Sequence, residues 1–239
     1  MPVRLSIKYE WKGCSMELAV PIAAVLVLAG GIIWVIIMVE KKRTAAWEAI
    51  GNRLGAQFMP KSSAEYTRFS FQLFNSGSSR KMKNHLKWVS EGVTVHLSDY
   101  QYTVRTYTGK SNTSKTYKQT VCILEKEGLD LPRSFLRRQV AFLDWMGSKF
   151  GAQDINFPED PDFSKAFLLK GDETRTPQVF GPELRQHLLQ NRKEFKTLEM
   201  SGPAIMVNFG KRRKPEEYAE LVGFSMQVYY MSSSGGSPW

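Results

Sequence analysis

The sequence predicts an α+β protein: one N-terminal transmembrane helix, then a soluble body rich in antiparallel sheet with flanking helices. Three features carry this. The run from Leu18 to Val39 holds no charge; apolar residues alternate in several stretches between Phe69 and Leu124; and prolines stand where helical patterns open, at Pro182 and Pro215.

At about 1.5 Å rise per residue, the run Leu18–Val39 crosses a hydrocarbon core of roughly 30 Å. Glu17 and Glu40 fence it. Leu28-Ala29-Gly30 resembles a signal-peptide cleavage site, but the apolar residues continue to Val39, which favours an anchor. A lipoprotein signal needs a cysteine just after the small residues, and Gly30 and Gly31 stand there. Pro21 falls in the first turn, where its missing N–H costs least. Gly30-Gly31 offers a small face for a helix partner, although glycine is also common in membrane helices that make no such contact.

Lys41, Lys42 and Arg43 follow the run in immediate succession, whereas Arg4, Lys8 and Lys12 are spread along the N-terminal side. The positive-inside rule then places the body in the cytoplasm, with a periplasmic body as the alternative. Met16 offers a second start that would strip the N-terminal positive charges. The resulting division is a short flank over 1–17, the transmembrane helix over 18–39, the soluble domain over 40–231 and a flexible tail over 232–239.

With 239 residues, 42% hydrophobic and 12% aromatic, enough chain remains beyond the helix for one large core or two small ones. Lys and Arg outnumber Asp and Glu by 33 to 23, a formal net charge of +10 that favours anionic partners. The two cysteines, Cys14 and Cys122, allow no disulfide framework within the body, as expected in a reducing compartment.

Along the body, Thr44–Leu54 reads as a short amphipathic helix with Trp47, Ile50 and Leu54 on one face, Gly55 as its stop, and a break separating it from the membrane helix. Phe69, Phe71 and Leu73 alternate as a strand, and Val93, Val95 and Leu97 as another. The apolar phase then slips to Tyr100, Tyr102 and Val104, which predicts a bulge or tight turn near Ser98-Asp99. Thr108–Lys115 is a polar loop, and Tyr117–Leu124 ends in a strand apolar on both faces and therefore central. Leu136–Phe150 reads as a helix ended by Gly151, and Phe157–Asp162 as an acidic, proline-rich connection. Strands near Ala166–Leu169, Phe195–Met200 and Ala204–Phe209 complete the set, with helices opening at Pro182 and Pro215.

A constant offset sets Gly51, Gly55, Ala56 and Gln57 on Gly147, Gly151, Ala152 and Gln153, and Phe71 and Leu73 on Phe167 and Leu169. A duplication would make two related halves, 44–139 and 140–231; two stereotyped helix ends would give the same match without one.

Motifs for chemistry are thin. Gly109-Lys110-Ser111 resembles the end of a phosphate loop, but the earlier glycine would fall at Val104. His85, His96 and His187 lack zinc-ligand spacing, although His85 and His96 could approach each other across a turn. Asp154, Asn156, Glu159, Asp160 and Asp162 cluster oxygens without the glycine of a calcium loop and with Pro158 and Pro161 interrupting them. No serine sits in a nucleophile elbow. No metal or cofactor is therefore expected. Asp99, Asp154 and Asp172 supply carboxylates for acid–base chemistry if they converge.

Basic clusters are the most numerous feature: Lys41-Lys42-Arg43, Arg80–Lys87, Arg137-Arg138 and Lys211-Arg212-Arg213-Lys214. For a tethered body the nearest anionic surface is its own membrane, where each Lys or Arg contributes on the order of 1 kcal/mol when close. Lys41, Lys42, Arg43, Lys211, Arg212, Arg213 and Lys214 are the candidate contacts with anionic headgroups. Nucleic acid is not expected, because the basic runs contain no aromatic stacking platform.

Phe71-Gln72-Leu73-Phe74, Asp99-Tyr100-Gln101-Tyr102-Thr103, Gln119-Thr120-Val121 and Gln153-Asp154-Ile155-Asn156-Phe157 ahead of Phe163-Ser164-Lys165 resemble the landmarks of a group of uncharacterised bacterial proteins. Those are similar in plan, with one N-terminal membrane helix and a soluble domain of unassigned function. The resemblance implies a bacterial inner-membrane setting and transfers no catalytic residue. The expected function is a membrane-anchored cytoplasmic binding or scaffolding module, with a protein partner unspecified; the alternative is a membrane-anchored hydrolase using carboxylates of the body.

Overall fold

The computed structural model describes residues 16–62, 65–107, 109, 111–139 and 154–234. The chain divides into two compact units, one ending at Ala45 and the other beginning at Ala46.

Helix α1 runs through Met16–Leu54. Its side chains from Ile22 to Val39 are exposed, Leu26, Trp34 and Ile36 among them. A helix apolar all round and covered by nothing is long enough, and apolar enough, to cross a membrane. The break expected before Thr44 does not occur: no Pro or Gly lies between Val39 and Ile50, and Ala45, Ala46, Glu48 and Ala49 are strong helix formers. The helix ends at Gly55, whose φ of +61° lets Ala56 N–H bond back to Gly51 O at 2.9 Å.

The second unit is built on a nine-stranded sheet, all of its pairings antiparallel. Its strands are β1 (Gln57–Lys61), β2 (Ser78–Ser90), β3 (Val93–Tyr107), β4 (Asn112–Glu125), β5 (Leu131–Arg138), β6 (Asp154–Ile155), β7 (Phe167–Lys170), β8 (Thr197–Gly202) and β9 (Ala204–Asn208). Their spatial order is β1-β2-β3-β4-β9-β8-β5-β7-β6. The helices are α2 (Gln72–Asn75), α3 (Pro161–Ala166), α4 (Arg175–Val179), α5 (Pro182–Gln190) and α6, which follows a 3-10 turn at Pro215–Glu217 and spans Tyr218–Ser234. One sheet therefore runs through both segments 44–139 and 140–231, and β5 of the first lies between β8 and β7 of the second. The offset that equates Gln57 with Gln153 sets Phe58 of β1 on Asp154 of β6, the strands at the two opposite sheet edges. It also equates Phe71 and Leu73, in and beside α2, with Phe167 and Leu169 in β7.

Each face of the central strands carries its own core. On one face Val93, Val95, Leu97, Cys122, Leu124, Leu198 and Val207 meet Trp47 and Ile50 of α1, Phe163 of α3, Leu184 and Leu188 of α5, and Leu221 and Val228 of α6. On the other, Tyr100, Tyr102, Val121, Ile123 and Met206 are covered by Phe69, Phe71, Leu73 and Phe74. The apolar phase slip in β3 is thus a change of covered face. β3 pairs with β4 without interruption, and the bulge lies opposite Ser98, in β2, where Asn84 and His85 together span the gap between Lys83↔Asp99 and Leu86↔Leu97.

Four expectations are corrected. Phe69–Leu73 is not a strand: a 3-10 turn at Glu65–Arg68 leads to α2, and Phe71 and Phe74, three apart, drop onto the second core. Leu136 opens no helix; it sits in β5 between Leu198 and Leu169, and residues 140–150 lie outside the described residues. The acidic connection already turns helical at Pro161, because Asp160 caps α3 by accepting the Phe163 N–H at 3.1 Å. Ser232 belongs to α6, buried, its hydroxyl donating to Val228 O at 2.7 Å.

Gly77 turns the chain from α2 into β2 at φ +64°, where a Cβ would stand 2.5 Å from Thr103 O. Neither backbone can retreat without breaking the β2–β3 ladder. Gly77→Ala is expected to destabilise the body by about 2 kcal/mol, read as a lower urea midpoint at unchanged slope.

Candidate functional site

The β2–β3 hairpin closes on Glu91-Gly92, both at positive φ (54° and 74°), the two-residue turn that suits strand twist. Residues equidistant from it meet as far as Leu86↔Leu97, and the bulge beyond sends Asn84 to one face and His85 to the other, diagonal to His96.

On the face of the smaller core a directed chain of polar groups runs inward. Arg68 reaches His96 Nε2 at 3.2 Å and grips Glu125 with both guanidinium nitrogens at 2.6 and 2.7 Å. Because guanidinium only donates, His96 Nε2 accepts, so its proton sits on Nδ1 and is donated to His85 Nε2 at 3.0 Å. His85 Nδ1 then donates to Ser62 Oγ at 3.1 Å. Both rings are buried. Burial first, then the neighbouring His96, Lys87 and Arg68, lowers His85 to about 3. Burial first, then Arg68, lowers His96 to about 4, Glu125 opposing. The chain holds two neutral imidazoles in place, and Phe69 closes over His96 edge to face.

On the opposite face Asp99 accepts from Asn84 Nδ2 (2.9 Å), Thr120 Oγ1 (3.2 Å) and Arg212 (3.3 Å). The segment after β9 is laid along β4 to reach it: Phe209 N–H donates to Thr120 O, Thr120 N–H to Lys211 O, and Arg213 N–H to Thr120 Oγ1. A second buried carboxylate, Glu199, accepts the Gln72 and Leu73 N–H groups at the start of α2. Burial raises it to about 7, against the pull of those donors.

The candidate membrane contacts separate in character. Lys41, Lys42, Lys211 and Lys214 are exposed, and Arg43 is half-buried. Arg212 is committed to Asp99, and Arg213 to Glu217 (2.5 Å) and Glu194 (3.3 Å). The carboxylates named for a hydrolase do not share a place: Asp99 is interior, Asp154 pairs with Lys170 at 3.2 Å on an edge strand, and Asp172 caps the opening of α4. Asp160 and Glu159 are both held by Arg185, at 2.9 and 3.3 Å. Among the described residues no group of three or more His, Cys, Asp or Glu is placed to hold a metal ion. His187 lies apart, stacked on Phe224. Lys110 and the N-terminal cations lie outside the described residues.

Depressions lined by described residues include two. One, of about 350 Å³, has Phe209, Leu221 and Phe224 in its wall and Arg213 among its lining residues. The other, of about 1040 Å³ and open to solvent, lies by Val89, Thr94, Glu125 and Leu129. Neither contains the histidine pair or Asp99.

These features define a protein with an apolar N-terminal helix and an α+β body whose interior polar groups bind one another. No known family matches the chain by sequence, and no curated protein does. By fold it is similar to the crystal structure of the mycobacterial trehalose monomycolate transport factor A, TtfA, with a TM-score of 0.58 over 80% of this chain and 93% of that one. The identity is 9%, so what the two share is the fold.

Proposed function

We propose that this chain is a membrane-anchored binding or scaffolding module of a bacterial inner membrane, with its body in the cytoplasm. The observation that carries it is α1, whose apolar side chains from Ile22 to Val39 face outward on every side. The fold it shares with a protein named as a transport factor supports a role beside other membrane components rather than in chemistry of its own. The scattered placement of Asp99, Asp154 and Asp172 weighs against the hydrolase. Lys41, Lys42, Lys211 and Lys214 supply exposed charge for anionic headgroups.

Crosslinking in intact cells, followed by purification of the full chain and of a variant with Gln at Lys41, Lys42, Lys211 and Lys214, tests this. A protein recovered with both forms in comparable amount is the expected result. Recovery of lipid alone with either form would sink the scaffold reading. A C-terminal reporter that fluoresces only when folded in the cytoplasm is expected to light up; a dark, full-length fusion places the body in the periplasm.

A further inference from the structure

Two lysines meet where the sheet opens between β4 and β9, and an arginine stands beside one of them. β4 pairs with β9 only from Val121 to Glu125, so its earlier half runs on past the end of β9. Tyr117 lies on that extension and stacks one face on Tyr102, centroids 5.3 Å and planes 19° apart. The ammonium groups of Lys115 and Lys196 stand 5.2 and 5.5 Å from the Tyr117 centroid. With one ring face taken by Tyr102, both approach the other face and are neighbours of each other.

Lys196 is not free to swing away. Its N–H donates to Asn208 O at 2.7 Å, and its stem lies on Gly210, where a Cβ would come within 2.8 Å of the Lys196 Cβ. Arg138, the last residue of β5, brings the third charge: Arg137 pairs with Thr197, which sets Arg138 alongside Lys196, and the buried Arg138 Nε has no hydrogen-bond partner among the described residues. Burial first, then the charges of Lys115 and Arg138, holds the Lys196 ammonium below its ordinary value. Elsewhere Arg68, Arg175, Arg185, Arg212 and Arg213 each have a carboxylate. Among the described residues Lys115, Arg138 and Lys196 have none.

Like charges held together without a counter-ion are unfavourable, the more so with Lys196 and Arg138 half-buried, and an oxyanion among them relieves both the repulsion and the unmet donors. We propose that Lys115 and Lys196 over Tyr117, with Arg138 beside Lys196, form a binding site for a phosphate-type oxyanion. Two ammonium points and one planar guanidinium suit the several oxygens of such a group. The site is distinct from the basic runs at Lys41–Arg43 and Lys211–Lys214, and stands whichever side of the membrane the body occupies and whatever protein it meets.

The test uses the full chain in uncharged micelles, melted in inorganic phosphate and in chloride of equal ionic strength. Phosphate is expected to raise the wild-type melting temperature by about 3 °C. Lys196→Gln and Lys115→Gln should lose that rise while melting, without phosphate, no lower than wild type, because repulsion is relieved. Should Lys196→Gln fail to fold, Lys115→Gln at its exposed position decides alone. In nanodiscs free of phosphate, replacing phosphatidylcholine by phosphatidylglycerol reports the source: a rise that the same variants abolish assigns the site to lipid headgroups, and its absence there, with the phosphate rise present, assigns it to a soluble anion. A rise undiminished in the variants, or no rise with either probe, overturns the proposal.

Discussion

Acidification from pH 7 to pH 4 is expected to remove several kcal/mol of stability through His85 and His96. In the folded body these rings titrate at about 3 and about 4, against 6.5 for an ordinary histidine. The unfolded chain therefore takes up protons first, so the stability of the neutral pair is complete above pH 6.5 and falls as pH drops toward 4. Were the rings independent, the loss would be about 6 kcal/mol; one N–H···N bond couples them, which makes that a ceiling. Protonating His96 also turns Nε2 from acceptor to donor, facing the Arg68 guanidinium. Glu199 slopes the other way. Its carboxyl, raised to about 7 from 4.5, destabilises the fold when ionised, so acidification from pH 7 to 4.5 returns about 3 kcal/mol. Stability is then nearly flat from pH 7.5 to 6 and falls below pH 5. Urea midpoints of the full chain against pH separate the two: Glu199→Gln should begin its acid loss nearer pH 6.5 and lose more, and the double variant His85→Gln/His96→Gln should lose little over the same range. Identical profiles for wild type and Glu199→Gln would remove the buried carboxylate from the account, and an unchanged acid limb in the double variant would remove the histidines.

How much of this was legible in the sequence follows from whether a residue's fate is decided locally. Val121–Leu124, apolar on both faces, is central because both faces of that strand are covered, and Pro182 and Pro215 open helical segments because a missing N–H costs nothing there. Phe69–Leu73 satisfies a strand pattern locally, and only Glu199, distant in sequence, supplies the acceptors for the Gln72 and Leu73 N–H groups that start a helix there instead. Leu136 fits a helical period as well as a strand, and only its neighbours Leu198 and Leu169 decide. The histidine pair has only a weak signal: His96 lies opposite Lys87 across the turn at Glu91-Gly92, and His85, two residues before Lys87, is its diagonal neighbour on the same face. Arg68, Ser62 and the cluster of Lys115, Lys196 and Arg138 have none, since their partners come from elements far apart along the chain. The basic run Lys211–Lys214 was visible as charge, but its division into two exposed lysines and two ion-paired arginines depends on Asp99, Glu194 and Glu217.

Asp99→Ala is the substitution expected to do the most local damage. It takes the shared acceptor from Asn84 Nδ2, Thr120 Oγ1 and Arg212 at once, and Asn84 and Thr120 are buried where water cannot replace it. Removing one member of such a buried set costs about 3–5 kcal/mol, because the donors left behind keep their desolvation penalty. Arg212 is partly exposed, with 22% of its side-chain surface open, so Arg212→Ala should cost much less, about 1 kcal/mol. In the double variant the Arg212 loss should largely vanish, a coupling of about 1 kcal/mol in a denaturation cycle of the full chain. The consequence reaches the surface: with Asp99 gone, the segment after Phe209 keeps its backbone bonds to Thr120 but loses the anchor that orients Arg212, and amide exchange at Lys211–Lys214 should quicken relative to β8. Additive losses, or unchanged exchange in Asp99→Ala, would mean that the segment is held by Thr120 and by the Arg213 pairs with Glu194 and Glu217 alone, and that the buried aspartate serves the β2 bulge instead.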